Sequence, residues 1–131
     1  MAAEEIAVQS TYSSVFGPVH RDGNTFKNDG RISVTIFNER GTDIKITATG
    51  RRPCSMGFVH NGPSPGGMTP PLVIPPNTYG FIDAVDLDPM RYNDSQSLTL
   101  LTYTDNVGGL LPNDDGNGHP NNVSIIARRI M

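Results

Sequence analysis

Residues 25–50 read TFKNDGRISVTIFNERGTDIKITATG, and this stretch decides the fold. Ile32, Val34 and Ile36 alternate with Arg31, Ser33 and Thr35; Ile44, Ile46 and Ala48 alternate with Asp43, Lys45, Thr47 and Thr49. Successive side chains on a strand point to opposite faces, so each run gathers its apolar set on one side, as a half-buried antiparallel strand requires. Asn28-Asp29-Gly30 is a turn signal that sets the start of the first run. Between the runs stands NERGT, residues 38–42, where Gly41 can supply the positive φ of a short hairpin loop. A hairpin is therefore expected here.

Outward from this stretch the same period recurs. Further strands are expected at Leu72 to Ile74, Thr78 to Asp83, Leu98 to Tyr103 and Val123 to Ile130. Pro70-Pro71 and Pro75-Pro76 bracket the first of these, and their missing amide donors confine it to a sheet edge or keep it very short. Helical signals are few. AEEIAV near the start is one, and DPMRYND, residues 88–94, fits a single turn with Asp88 as N-cap and Pro89 at the first helical position. Short strands, frequent turns and no long helix predict an all-β fold: an antiparallel β-sandwich or jelly-roll-like barrel. The expected layout is an extended N-terminal arm over residues 1–16 and a sandwich over 17–131.

Two long loops carry most of the remaining chain, residues 50–71 and 105–122. Their Gly, Pro, Asn and Asp content builds no core, and long loops in a small domain commonly carry binding.

With 131 residues the chain is expected to be one domain with one core. It holds 10 basic and 13 acidic residues, a net charge of −3, and its only basic pairs are Arg51-Arg52 and Arg128-Arg129. Nucleic acid and anionic membranes need a concentrated basic field, so neither is the expected partner. Cys54 is the single cysteine, which excludes an intrachain disulfide. The start, MAAEEIAVQS, lacks the basic and apolar regions of a signal peptide, and no apolar run approaches the roughly 20 residues of a membrane span. Synthesis in a cytoplasm as a soluble protein is expected.

Chemistry-bearing groups are sparse. Asp83, Asp86 and Asp88 have the composition of a carboxylate pair for glycoside hydrolysis, but acidic residues also gather at strand exits and helix caps. NDDGNG, residues 113–118, mixes oxygens and glycines as a calcium loop does, yet lacks that motif's spacing and closing bidentate acid; a plain turn is favoured. His20, His60 and His119 stand far apart in loop-like contexts and read as surface histidines without a metal. No phosphate loop, nucleophile elbow or zinc pattern occurs. The aromatics look scattered, with Phe37 alone on the face opposite Ile32, Val34 and Ile36. No enzyme activity and no cofactor are expected.

The order GNTFKNDGRISVTIFNERGTDIKITAT, then VIPPNTYGFIDAVDLDPMRYND, LTLLTYTD and a terminal NVSIIARRI resembles small tailed-phage structural proteins encoded near the major capsid protein, identified as head decoration or cement proteins. The resemblance spans most of residues 23–131. The long 50–71 loop and the 105–122 insertion depart from that pattern. It implies a non-enzymatic virion protein on the outer capsid surface that binds the major capsid protein. It also implies self-association as a trimer or other small symmetric cluster.

Stiff, extended segments lose little entropy when ordered on a partner. Partner contacts are accordingly expected in the arm and first loop, at Ile6, Val8, Tyr12, Phe16, Arg51, Arg52, Phe58, Pro70 and Pro71, and deletion of residues 2–12 is expected to weaken capsid binding while sparing the β fold. The alternative is a tail-associated or host-surface carbohydrate-binding module. A third reading is a hydrolase using the three aspartates.

Overall fold

The computed structural model describes residues 2–53, 56–63 and 71–130. Among these residues nine strands form two packed sheets: β1 (Glu4–Glu5), β2 (Gly17–Pro18), β3 (Asn24–Lys27), β4 (Ile32–Asn38), β5 (Ile44–Ala48), β6 (Leu72–Ile74), β7 (Thr78–Ile82), β8 (Leu98–Asp105) and β9 (Val123–Arg129). One sheet has the order β1-β3-β8-β5-β6, the other β2-β9-β4-β7. Every strand pairing is antiparallel except β1 with β3, so the expected all-β sandwich is the observed architecture.

The core lies between the sheets. Phe26, Ile44, Ile46, Ile74, Leu101 and Tyr103 come from the five-stranded sheet, and Ile32, Val34, Ile36, Ile82, Ile125 and Ala127 from the four-stranded one. They interdigitate as the inner faces of aligned sheets do. Tyr103 is fully buried, and its hydroxyl donates to Asn24 Oδ1 at 2.8 Å.

The expected hairpin is not formed. β4 pairs with β7 and β9, whereas β5 pairs with β6 and β8, so residues 38–44 carry the chain from one sheet to the other. Both runs do bury their apolar faces, but against each other across the sandwich instead of side by side in one ladder. Asn38 holds the crossing: its side-chain amide donates to the carbonyls of Thr42, Ile74 and Pro75 at 2.9, 3.0 and 3.1 Å, and its Oδ1 accepts from Arg40 N. Gly41 does not take a positive φ; Gly30 does, at 92°, in the Asn28-Asp29-Gly30 turn that opens β4 as expected.

AEEIAV is not helical. Glu4 and Glu5 run parallel to Asn24 and Thr25, and Ile6 N donates to Thr25 O at 2.8 Å. A helix this short cannot repay its nucleation, while the edge of β3 offers waiting amide partners. Gln9 then pairs with β9 in the other sheet, donating to Ala127 O at 2.8 Å and accepting from Arg129 N at 3.0 Å. Residues 4–9 thus strap across one open side of the sandwich, with Ile6 and Val8 packed on its core. β6 is a three-residue edge strand, and helix α1 (Pro89–Tyr92) has Asp88 accepting from Met90 N at 2.9 Å, both as the prolines predict. Among the described residues no helix is long and apolar enough to cross a membrane.

Candidate functional site

The four-stranded sheet carries a row of aromatic rings on its outer face. On β7 the odd residues turn outward: Tyr79 is 49% and Phe81 61% exposed, while Gly80 and Ile82 are buried. On β4 the outward residues are Ser33, Thr35 and Phe37, and the register sets Phe37 opposite Tyr79 and Thr35 opposite Phe81. Phe37 and Tyr79 stack with centroids 4.2 Å apart and planes 13° from parallel. Phe81 continues the row 6.2 Å from Tyr79, and Phe16 meets Tyr79 edge-on at 6.3 Å. Cross-strand aromatic pairs of this kind stabilise a ladder by roughly 0.2–1 kcal/mol.

The other half of this face is covered. Ile126 and Thr35 point outward yet are buried, because residues 13–16 lie over them: Val15, Phe16 and Ile126 line one groove, and Arg128 donates to Ser13 O and Thr35 Oγ1, both at 3.2 Å. The cover ends at Phe16. From there to the rim of β7 the outward side chains Phe37, Tyr79 and Phe81 are aromatic and uncharged, with Arg128 held at their border on Thr35.

The expected partner residues fall in different places. Phe16 joins the aromatic row. Tyr12, 85% exposed, stands on the segment leading to it, whereas Ile6 and Val8 are half-buried against the core. Arg51, Arg52 and Phe58 are exposed in the segment after β5, which returns through a pairing of Gly62 with Ala48 in the other sheet. Pro71 is exposed just before β6. Pro70, like Cys54, lies outside the described residues.

The three aspartates have local work. Asp88 caps α1, Asp83 O accepts from Asp86 N at 3.0 Å, and Asp86 sits in a 3-10 turn where burial, then the Asp83 charge, raises its pKa. In NDDGNG the oxygens serve the loop itself: Asn113 Oδ1 accepts from Gly118 N, Asp114 Oδ2 from Asn121 N, and Asp115 Oδ1 from Asn117 N and His119 N. This is a turn closed by its own amides.

His60 is exposed as expected, but His20 and His119 are not separate surface residues. His20 is buried, and its ring meets that of His119 edge-on at 5.5 Å. His119 bridges two carboxylates, with Nδ1 2.7 Å from Asp115 and Nε2 3.1 Å from Glu4. The hydrogen bond that the ring donates to Asp115 leads in raising its pKa, opposed by desolvation and helped by Glu4. The 105–122 loop is thereby clamped to the N-terminal strap. Among the described residues no group of His, Cys, Asp or Glu has the arrangement of a metal site.

The aromatics, scattered along the sequence, meet on one sheet face in the fold. The legible signal was Tyr79 and Phe81 at period two about Gly80; their meeting with Phe37 and Phe16 depends on the register of β7 on β4 and of β2 on β9. No family model matches this chain, and no match to a curated protein or to a solved structure is found.

Proposed function

We propose that this chain is a non-enzymatic structural protein of a tailed phage that binds the outside of the capsid and cements or decorates the lattice of the major capsid protein. Two things support the reading: the family resemblance over most of residues 23–131, and the exposed aromatic surface of Phe16, Phe37, Tyr79 and Phe81. The surface carries more of the argument. It lies on the outer face of a sheet and presents exposed aromatic area without catalytic groups, which fits a protein partner better than a small molecule, since small molecules are bound mostly in enclosed sites.

The carbohydrate-binding alternative draws on the same row. A sugar stacks on an open ring face, however, and the faces of Phe37 and Tyr79 are turned toward each other. Rings that present edges suit interdigitation with another protein's side chains.

Co-sedimentation with empty capsids assembled from the major capsid protein, titrated to saturation, tests the reading. Saturable binding at a fixed ratio to the capsid subunit is expected, and Phe16→Ala should weaken it about tenfold, the scale of a lost aromatic anchor. Absence of binding across the titration overturns the proposal, and glycan binding by the isolated protein would put the alternative in its place.

A further inference from the structure

Each of the two sheets has two edges, and the chain guards three of them. β1 is two residues long and acidic, Glu4–Glu5; β2 is two residues long and ends in Pro18; β6 is three residues long, with Pro71 before it and Pro75-Pro76 after it. Short length, charge and proline are the devices by which β-proteins prevent unwanted strand pairing. β7 has none of them within the strand; the nearest are Pro76, two residues before it, and Asp83, the residue after it. Its five residues, TYGFI, contain no charge and no proline, and among the described residues no strand pairs with its outer side. Its exposed side chains are Tyr79 and Phe81.

We propose that β7 pairs with β7 of a second copy of this chain, antiparallel about a two-fold axis at Gly80. The occupant follows from the complementarity of the strand with itself. In that register Gly80 faces Gly80 of the other copy, Thr78 faces Ile82, and Tyr79 faces Phe81. The two aromatic rows join into one band, since Phe37 already stacks on Tyr79 within each copy. The charges are compatible as well. Asp83, the acidic residue following the strand, is set opposite the neutral Asn77, whose φ of 54° turns the chain at the other end. Two carboxylates are never brought face to face. Closed two-fold pairing also consumes the free edge in both copies, so assembly stops at the dimer.

This specifies a two-fold dimer where the resemblance implies only a small cluster, and it does not depend on the capsid reading. Sedimentation of the full chain over a range of concentrations, without capsids, is the test. A reversible dimer is expected. Tyr79→Glu and Phe81→Lys should each weaken it by about tenfold or more, as loss of a central aromatic contact does. The double variant Tyr79→Glu/Phe81→Lys should recover dimerisation, because the register sets the two new charges opposite each other across the axis. If either variant loses its β-sheet circular dichroism, amide exchange of Tyr79 to Ile82 in the unaltered protein decides instead: protection must rise with protein concentration. A monomer at every concentration, a trimer, or a dimer indifferent to both single changes overturns the proposal. Failure of capsid binding by an intact dimer would count against the function proposed above and leave this inference standing.

Discussion

Asn38 shows how much a single polar residue does in this fold. Buried at the end of β4, its amide satisfies three carbonyls belonging to two different chain crossings. Asn38→Ala removes these donors and leaves buried acceptors unpaired, so a loss of about 1–3 kcal/mol is expected in chemical denaturation. A change within error would mean that water replaces the amide. His119 gives the molecule a pH dependence. Its raised pKa means that the protonated ring is the form bound between Asp115 and Glu4, beside the His20 ring. That contribution is complete below the ordinary value of 6.5 and is lost as pH rises through the raised one. Asp115 is lowered to about 2, so its contribution is present above the ordinary 3.8 and is lost only as pH falls toward 2. Amide protection of Glu4, Ile6 and Gln9, corrected for intrinsic exchange, should therefore be greater at about pH 5.5 than at about pH 8.5, and His119→Gln should flatten the difference. An identical profile in the variant would exclude the clamp.

At the scale of elements, the strap over residues 4–9 is the part whose role changed most between sequence and structure. It adds a parallel strand to β3, crosses the open side and pairs with β9, burying parts of Ile6 and Val8 on the way. Its removal takes away backbone hydrogen bonds to both sheets as well as apolar cover. Deleting residues 2–9 should lower the thermal midpoint by about 4 °C or more, the shift that ~1 kcal/mol produces in a domain of this size. An unchanged midpoint would show that the strap contributes only surface. The residues 13–16 that follow are a second cover, and their end at Phe16 determines how far the aromatic row extends.

For the whole molecule, two sides of the sandwich differ in kind. One is closed by the strap, β1 and β2; the other ends in the short β6 and in β7, whose outer side no strand pairs among the described residues. The proposed binding surface lies toward the second side, and its own side chains, Phe16, Phe37, Tyr79 and Phe81, carry no charge. Capsid binding through it should change by no more than about twofold between ~0.1 and ~1 M salt, because screening acts on charges and not on apolar contact. A tenfold loss over that range would move the contact to exposed Arg51 and Arg52, the sites first expected from the sequence.

Sequence alone determined where the strands from β4 to β9 lie, but not the short β1, β2 and β3. Period-two alternation is a local property, written in each run by the need to bury one face, and Ile32 to Ile36, Ile44 to Ala48 and Thr78 to Ile82 are legible for that reason. Turns were legible too, through Asn28-Asp29-Gly30 and through Asp88-Pro89, because their chemistry is satisfied within a few residues. Tertiary structure alone decided which strands pair. A strand's inward face is equally well buried by a hairpin partner or by a strand across the core, and only packing of the whole chain separates β4 from β5. The aromatic row and the His20–His119 contact follow from that choice: register brought Phe37 to Tyr79, and the strap brought Glu4 to His119. Contacts between residues far apart in sequence leave no local period to read, so the surface that the molecule offers to a partner emerges only when the sheets are assembled.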